Sequence, residues 1–250
     1  MNMTRYCVFS LYGPMASWGE IAVGEDRHSS DHPTKSAVLG LVGAALGILR
    51  EQEDLHTRLS RSLGMACLVR DPGIPLSDYH IIQTPPQSAL RSARHIRTRK
   101  DELSIGRALL NSIESWREYR CDTFVHICLW ERGQSVPYSL DAIAEALNRP
   151  RFCLYLGRKS CPPGLPVRAR IVDAPSLIEA FSRAEEDCAG ILGRFDFSDS
   201  AAMYWESDGV PGIDASHSVP RRDEILSRKR WTFSNRTEHY GMVRLPVAGG

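Results

Sequence analysis

The sequence predicts an α+β fold built on a ferredoxin-like unit, and three observations carry that reading. The predicted elements run strand, helix, strand, strand, helix, strand, which is the order of a split βαβ unit. A polar, arginine-rich stretch at residues 83–116 interrupts the second pair of strands as an inserted arm. After Gly190 the pattern breaks into short β-like pieces separated by Gly, Pro and Asp. Residues 1–190 therefore read as the main domain and residues 191–250 as a small C-terminal β-rich region.

Each element has its own signal. Residues 5–12 form a buried strand with aromatic rings at Tyr6, Phe9 and Tyr12, and Gly13-Pro14 ends it. Residues 19–32 are polar and aperiodic. Pro33-Thr34-Lys35-Ser36 then opens a helix through Leu49: proline lacks the N–H that a first turn would leave unpaired, and Thr34 or Ser36 can satisfy the other orphan donors. Gly40, Gly43 and Gly47 share one face of this helix and each costs about 1 kcal/mol of helix propensity, so close approach of the helix to a sheet or to another chain is expected. Strands follow at 65–70, 79–83 and, most strongly, 121–130. Residues 139–148 form a short helix with Leu140, Ile143, Ala144 and Leu147 on one face, stopped by Arg149-Pro150. A strand at 167–172 and an amphipathic helix at 176–187 complete the unit. The C-terminal β pieces are 202–205, 231–233 and 242–247.

At 250 residues with 42% hydrophobic and 24% charged residues, the composition is that of a globular protein and excludes disordered, collagen-like and coiled-coil classes. A chain of this length buries roughly 70–75% of its unfolded surface without needing a disulfide or metal staple. Seven cysteines form an odd set with no C-x-x-C pair, mostly inside apolar runs, which points to reduced, buried thiols in a cytoplasmic protein. The longest uncharged apolar stretch, residues 36–49, is too short to span a bilayer, so no membrane partner is expected. The formal net charge of +1 conceals segregation of sign. Residues 83–120 hold eight basic against four acidic residues, 149–170 hold six against none, and 221–236 hold six against two. Residues 173–214 hold two basic against ten acidic residues, a face suited to a basic neighbouring protein.

The familiar enzyme signatures are absent. Gly157-Arg158-Lys159-Ser160 resembles the tail of a phosphate-binding loop without its upstream glycine, and no zinc-protease, nucleophile-elbow or dinucleotide motif occurs. His28 and His32 lie four apart in a loop with Asp26 and Asp31, an arrangement open to a metal but not fixed by a helix, and no metal or other cofactor is assigned. The arm residues Arg91, Arg94, Arg97, Arg99, Lys100 and Arg107 have little apolar company, which leaves two readings: a solvated charged loop, or an RNA-contacting arm whose guanidinium groups pair with phosphates and stack on bases. Arg158 and Lys159 beside Tyr155 suit a phosphate clamp next to a stacking ring, with plain core the other reading for Tyr155.

Three stretches, taken in order, resemble a known family. They are Leu11-Tyr-Gly-Pro-Met-Ala-Ser-Trp-Gly19 with His32-Pro-Thr-Lys-Ser-Ala-Val-Leu-Gly-Leu-Val-Gly-Ala-Ala-Leu-Gly47, then Ser115-Trp-Arg-Glu-Tyr119, then Tyr155-Leu-Gly-Arg-Lys-Ser-Cys-Pro162. Together they are similar to the Cas5 family of the RAMP superfamily, in its CasD form from type I-E CRISPR surveillance complexes (Cascade). The similarity runs from residue 5 to about 170 and is weak beyond.

The resemblance implies an RRM-like ferredoxin fold with an extended arm. It also implies binding of the 5′ repeat-derived tag of CRISPR RNA, capping of the CasC backbone subunits, contact with the large subunit CasA and other Cascade subunits, and indirect support of DNA target recognition in antiviral defence. By motif match the tag-binding positions are Arg117 and Tyr155. Thr34, Lys35 and Ser36 at the helix start, together with Arg158 and Lys159, are added on physical grounds, since backbone N–H groups and nearby cations suit phosphate. The arm arginines Arg91, Arg94, Arg97 and Arg99 complete the RNA-binding set. Type I-C relatives cut repeat RNA without metal, whereas type I-E systems assign cutting to a separate subunit, CasE. The match to the second branch favours a non-catalytic binding subunit, with a metal-independent endoribonuclease as the alternative; the adjacent pair Arg94-His95 would be its candidate.

Overall fold

The structure is a computed structural model that describes residues 3–20, 22, 24–92, 96–133, 136–186, 195, 197–206 and 214–245. Its strands are β1 (Thr4–Ala16), β2 (Asp26–Arg27), β3 (Leu63–Asp71), β4 (Ile74–Thr84), β5 (Asn111–Glu131), β6 (Arg170–Ala174), β7 (Ser200–Trp205), β8 (His217–Ser227) and β9 (Thr232–Arg244). The α-helices are α1 (Lys35–Leu46), α2 (Glu53–Ser62), α3 (Gln87–Ser92), α4 (Arg99–Leu103), α5 (Leu140–Asn148) and α6 (Leu177–Glu186).

One sheet runs β6-β1-β5-β3-β7-β9-β8. Its first four strands are antiparallel neighbours in the order fourth, first, third, second of the predicted unit, which is the ferredoxin-like arrangement. The C-terminal strands do not stand apart: β7 pairs with β3 through Ala66↔Trp205 to Val69↔Ala202, and β9 and β8 continue the same sheet.

Two strands run past their expected ends. β1 continues through Gly13-Pro14, because the ladder to β5 skips Pro14 opposite Asp122, which turns at φ 59°, and resumes at Met15↔Cys121. β5 is 21 residues long: its second half lies in the main sheet, and its first half pairs with β4 from Ile74↔Cys121 to Thr84↔Asn111. The arm is thus a hairpin starting at residue 74 rather than 83, with α3 and α4 at its tip.

Alternation on β1 and β5 sends Cys7, Phe9, Leu11, Val125, Ile127 and Leu129 to one face, against α1, α2 and α5. Tyr6, Val8, Cys128 and Trp130 point to the other face, against Leu177, Ala180 and Phe181 of α6. Phe195 and Phe197 stack on each other beside Phe124 on this second face, and Phe195 also meets Tyr12. An RRM stacks bases on the sheet face opposite its helices; here that face is covered, so the fold is ferredoxin-like without an RRM's open platform. Burial pushes the thiols of Cys7, Cys67 and Cys128 up, that of Cys7 to about 12.

The three glycines, two within α1 and Gly47 as its C-cap, make room for side chains of the same chain. A Cβ at Gly40 would lie 2.7 Å from an Arg228 guanidinium nitrogen, one at Gly43 3.4 Å from His56, and one at Gly47 2.5 Å from the Arg151 side chain.

Candidate nucleic-acid interface

The outer half of β5 is held between β4 and β2, so Arg117 has Asp78 opposite it on one side and Arg27 on the other. The strand's alternation puts Tyr119 on the α1 face, buried in the main core, with half-buried Arg117 two residues away on the same face. The loop after α5 is plugged into this region by Leu156, which is fully buried. Ser17 N–H donates to the Leu156 carbonyl (3.0 Å) and Leu156 N–H to the Cys161 carbonyl (2.7 Å). Next in the chain, Gly157 adopts φ 85°, and a Cβ there would sit 1.8 Å from the Ser17 carbonyl oxygen.

That docking fixes the residues on either side of Leu156. Tyr155 stays 41% exposed. The Arg158 guanidinium lies 4.5 Å from the centroid of the Tyr119 ring and donates to the Arg27 carbonyl (3.4 Å). Arg158 thereby links the Tyr119 ring to the backbone of Arg27, which is paired with Arg117 across β2 and β5, with Tyr155 and exposed Lys159 on the same loop as Arg158. Beside them, Glu118 accepts from Ser29 N–H (3.1 Å) and pairs with His28 Nδ1 (3.1 Å). The Ser29 and His28 bonds hold the Glu118 carboxyl below its ordinary value, and the bond to Glu118 raises His28. His28 and His32 do not share a ligand set, since His32 is buried, stacked on Tyr204, and paired with Asp31 and Glu238. Among the described residues, no group of three His, Cys, Asp or Glu side chains is arranged to hold a metal ion.

The helix start is where the sequence reading needs correction. Lys35 is fully buried; its Nζ pairs with Glu206 and Glu224, and its N–H donates to Asp223 Oδ2 (2.8 Å). Thr34 is the N-cap, its Oγ1 accepting from Ala37 N–H (3.2 Å). Ser36 bonds Thr34 through its hydroxyl and gives its carbonyl to Arg228. A carboxylate of the same chain already sits at the N-terminus of α1, so Thr34, Lys35 and Ser36 form an internal junction rather than a phosphate seat.

The arm residues divide. Arg91 and Arg97 are exposed, whereas the Arg99 guanidinium is tied to Glu102 and to the Gln83 carbonyl. Arg94 lies outside the described residues, as does His95. The sequence reading missed Arg27, Tyr119 and Glu118, and weighed His28 only as a metal ligand rather than as the partner of Glu118. Glu118 and Tyr119 lie inside the Trp-Arg-Glu-Tyr motif and could have been taken from it; Arg27 and His28 sit in an aperiodic loop that carries no such signal.

Comparison with known proteins places this geometry in a family. The chain is 34% identical over 163 residues to the CRISPR system Cascade subunit CasD of Escherichia coli (strain K12), covering 64% of this chain and 68% of the relative. Two solved structures share the fold at 22% identity. One is described as a CRISPR RNA-guided surveillance complex (TM-score 0.62, 97% of this chain and 91% of that one), the other as a crystal structure of Cas protein (TM-score 0.59, 96% and 97%). The family model described as CRISPR-associated protein (Cas_Cas5) matches residues 6–245, from the first strand of the sheet to the last, and this chain belongs to that family.

Proposed function

We propose that this protein is a non-catalytic RNA-binding subunit of a type I-E Cascade complex that holds the 5′ repeat-derived tag of the CRISPR RNA and caps the CasC backbone next to CasA. The observation that carries the reading is the docking of Arg158 over Tyr119 and onto the backbone of Arg27, whose strand pairs with Arg117, on the loop that also carries exposed Tyr155 and is fixed to the main sheet through Leu156. Guanidinium groups grip phosphates bidentately, and an exposed aromatic ring stacks an unpaired base whatever its identity. The similarity to a Cascade subunit of Escherichia coli supports reading the chain as a subunit of such a complex.

One arrangement favours a second reading. The His28–Glu118 pair next to Arg27 has the acid–base groups that metal-independent RNA cleavage uses: a base for the 2′-hydroxyl and an acid for the leaving oxygen. A single experiment separates the two. The Arg117→Ala/Tyr155→Ala double variant, co-expressed with the other Cascade subunits and a CRISPR RNA, should yield less assembled complex and retain less RNA than wild type. Undiminished RNA retention would overturn the assignment. Labelled repeat RNA incubated with the wild-type chain in EDTA should stay intact; a discrete cut abolished by His28→Ala would establish the ribonuclease reading instead.

A further inference from the structure

The turn joining β8 to β9 presents a second aromatic–basic site that the tag-binding reading does not use. Trp231 adopts φ 57°, a left-handed conformation that costs a bulky residue on the order of 1–3 kcal/mol, and it is 60% exposed. The turn is nonetheless tightly built. Arg50 Nε donates to the Arg228 carbonyl (3.1 Å) and Arg50 Nη2 to the Lys229 carbonyl (3.2 Å). Lys229 N–H donates to Glu53 Oε1 (3.1 Å) and Arg230 N–H to Ser227 Oγ (3.0 Å). The Arg50 and Arg228 guanidinium groups lie 5.6 and 5.2 Å from the Trp231 ring centroid. Arg228 is itself buried against Gly40, with its Nη2 on the Ser36 carbonyl, while Lys229 and Arg230 are exposed on the turn. Glu53 is occupied within the turn by Lys229 N–H and Ser227 Oγ.

A strained, rigidly held indole that leaves most of its surface to solvent amid four cations is arranged for a ligand with a flat π-face and negative charge. An apolar protein partner would not call for the cations, and duplex nucleic acid offers no free base face. We propose that Trp231 is a base-stacking site for single-stranded nucleic acid, with Arg50, Lys229 and Arg230 serving the adjacent phosphates. The site is assembled from the β8–β9 turn and the segment after α1, independently of Arg27, Arg117 and Arg158.

The test uses the purified full chain and fluorescein-labelled 15-nucleotide oligouridylate, oligothymidylate and a hairpin duplex, with binding read by anisotropy. Trp231→Ala should weaken single-strand affinity about 5- to 100-fold, Trp231→Phe should keep most of it, and duplex affinity should be unchanged in both. Loss confined to oligouridylate assigns the site to RNA, loss confined to oligothymidylate assigns it to DNA, and loss of both assigns it to either strand. Single-strand affinity within twofold of wild type in Trp231→Ala, or an equal loss for the duplex, would overturn the proposal, as would failure of Trp231→Phe to retain binding when its thermal midpoint matches wild type. Because the homopolymers contain no repeat sequence, a null result here leaves the tag-binding reading standing.

Discussion

Gly157 decides where Tyr155 and Arg158 end up. Its φ of 85° suits glycine, and a methyl group in place of its hydrogen would come within 1.8 Å of the Ser17 carbonyl oxygen, which leaves no room for any side chain. Gly157→Ala should therefore unseat the loop, lowering stability by about 1–3 kcal/mol and weakening RNA binding together with it. Parallel urea melts and RNA titrations check this, and a variant that melts like wild type yet binds RNA equally well would contradict it. At this scale the sequence was partly legible. Of the two capping candidates at the start of α1, Thr34 is the one that bonds the N–H three residues on, and Ser139 caps α5 in the same way. Lys35 was misread because Pro-Thr-Lys-Ser has the residues of an anion seat, whereas the groups that claim Lys35, Glu206, Asp223 and Glu224, lie 171 to 189 positions further along the chain. No local pattern announces partners at that distance.

Among the elements, those with apolar periodicity were legible and those built on charge were not. β1, α1, α5 and α6 all bury a regular apolar face, and each was expected within a few residues of its observed bounds. β8 was missed because its inward residues include Arg221 and Asp223, which alternate like an exposed segment although they meet partners inside. The outer half of β5 was read as polar insertion for a related reason: its residues sit in a two-stranded arm where Ile81, Ile113, Tyr79 and Trp116 are exposed on both faces. Tyr79 and Trp116 face each other across that arm with ring centroids 5.0 Å apart. Thr84 and Asn111 are directly opposite, so residues 85–110 can be replaced by Asn-Gly, a two-residue turn that matches strand twist. The shortened protein should melt within a few degrees of wild type and bind RNA more weakly, since Arg91 and Arg97 leave with the tip. Loss of cooperative unfolding would show that the tip is needed by the fold; unchanged RNA affinity would show that the arm is not part of the interface.

For the molecule as a whole, segment charges overstate what solvent sees. Arg221 and Arg236 are turned inward onto Glu238, Asp223 and Glu206, Glu185 is buried against Arg70 and His126, and Arg170 donates to the last carbonyls of α6. Much of the basic excess of 221–236 and part of the acidic excess of 173–214 therefore cancel inside the protein, joining the C-terminal strands to the start of α1. This junction should be acid-sensitive. Burial alone would raise Glu238, but the His32 bond and the Arg236 and Arg221 charges bring it down to about 2; the His32 bond likewise holds Asp31 well below the carboxylate range. Glu206 works the other way, raised by burial. A carboxylate lowered by folding contributes stability above its unfolded pKa, near 4, and loses it as pH falls toward the folded value. Urea midpoints should thus drop between pH 4.5 and 2.5, and Glu238→Gln should show a shallower drop after losing about 3 kcal/mol at pH 7; parallel pH profiles would refute the role given to Glu238. The most direct measurement of the central claim is the salt dependence of affinity for a 5′-tag RNA, taken on wild type, Arg117→Ala and Tyr155→Ala. The account predicts a steep wild-type slope, a slope shallower by about 0.7 for Arg117→Ala, and an unchanged slope with weaker affinity for Tyr155→Ala. A flat wild-type dependence, or an Arg117→Ala slope equal to wild type, would contradict it.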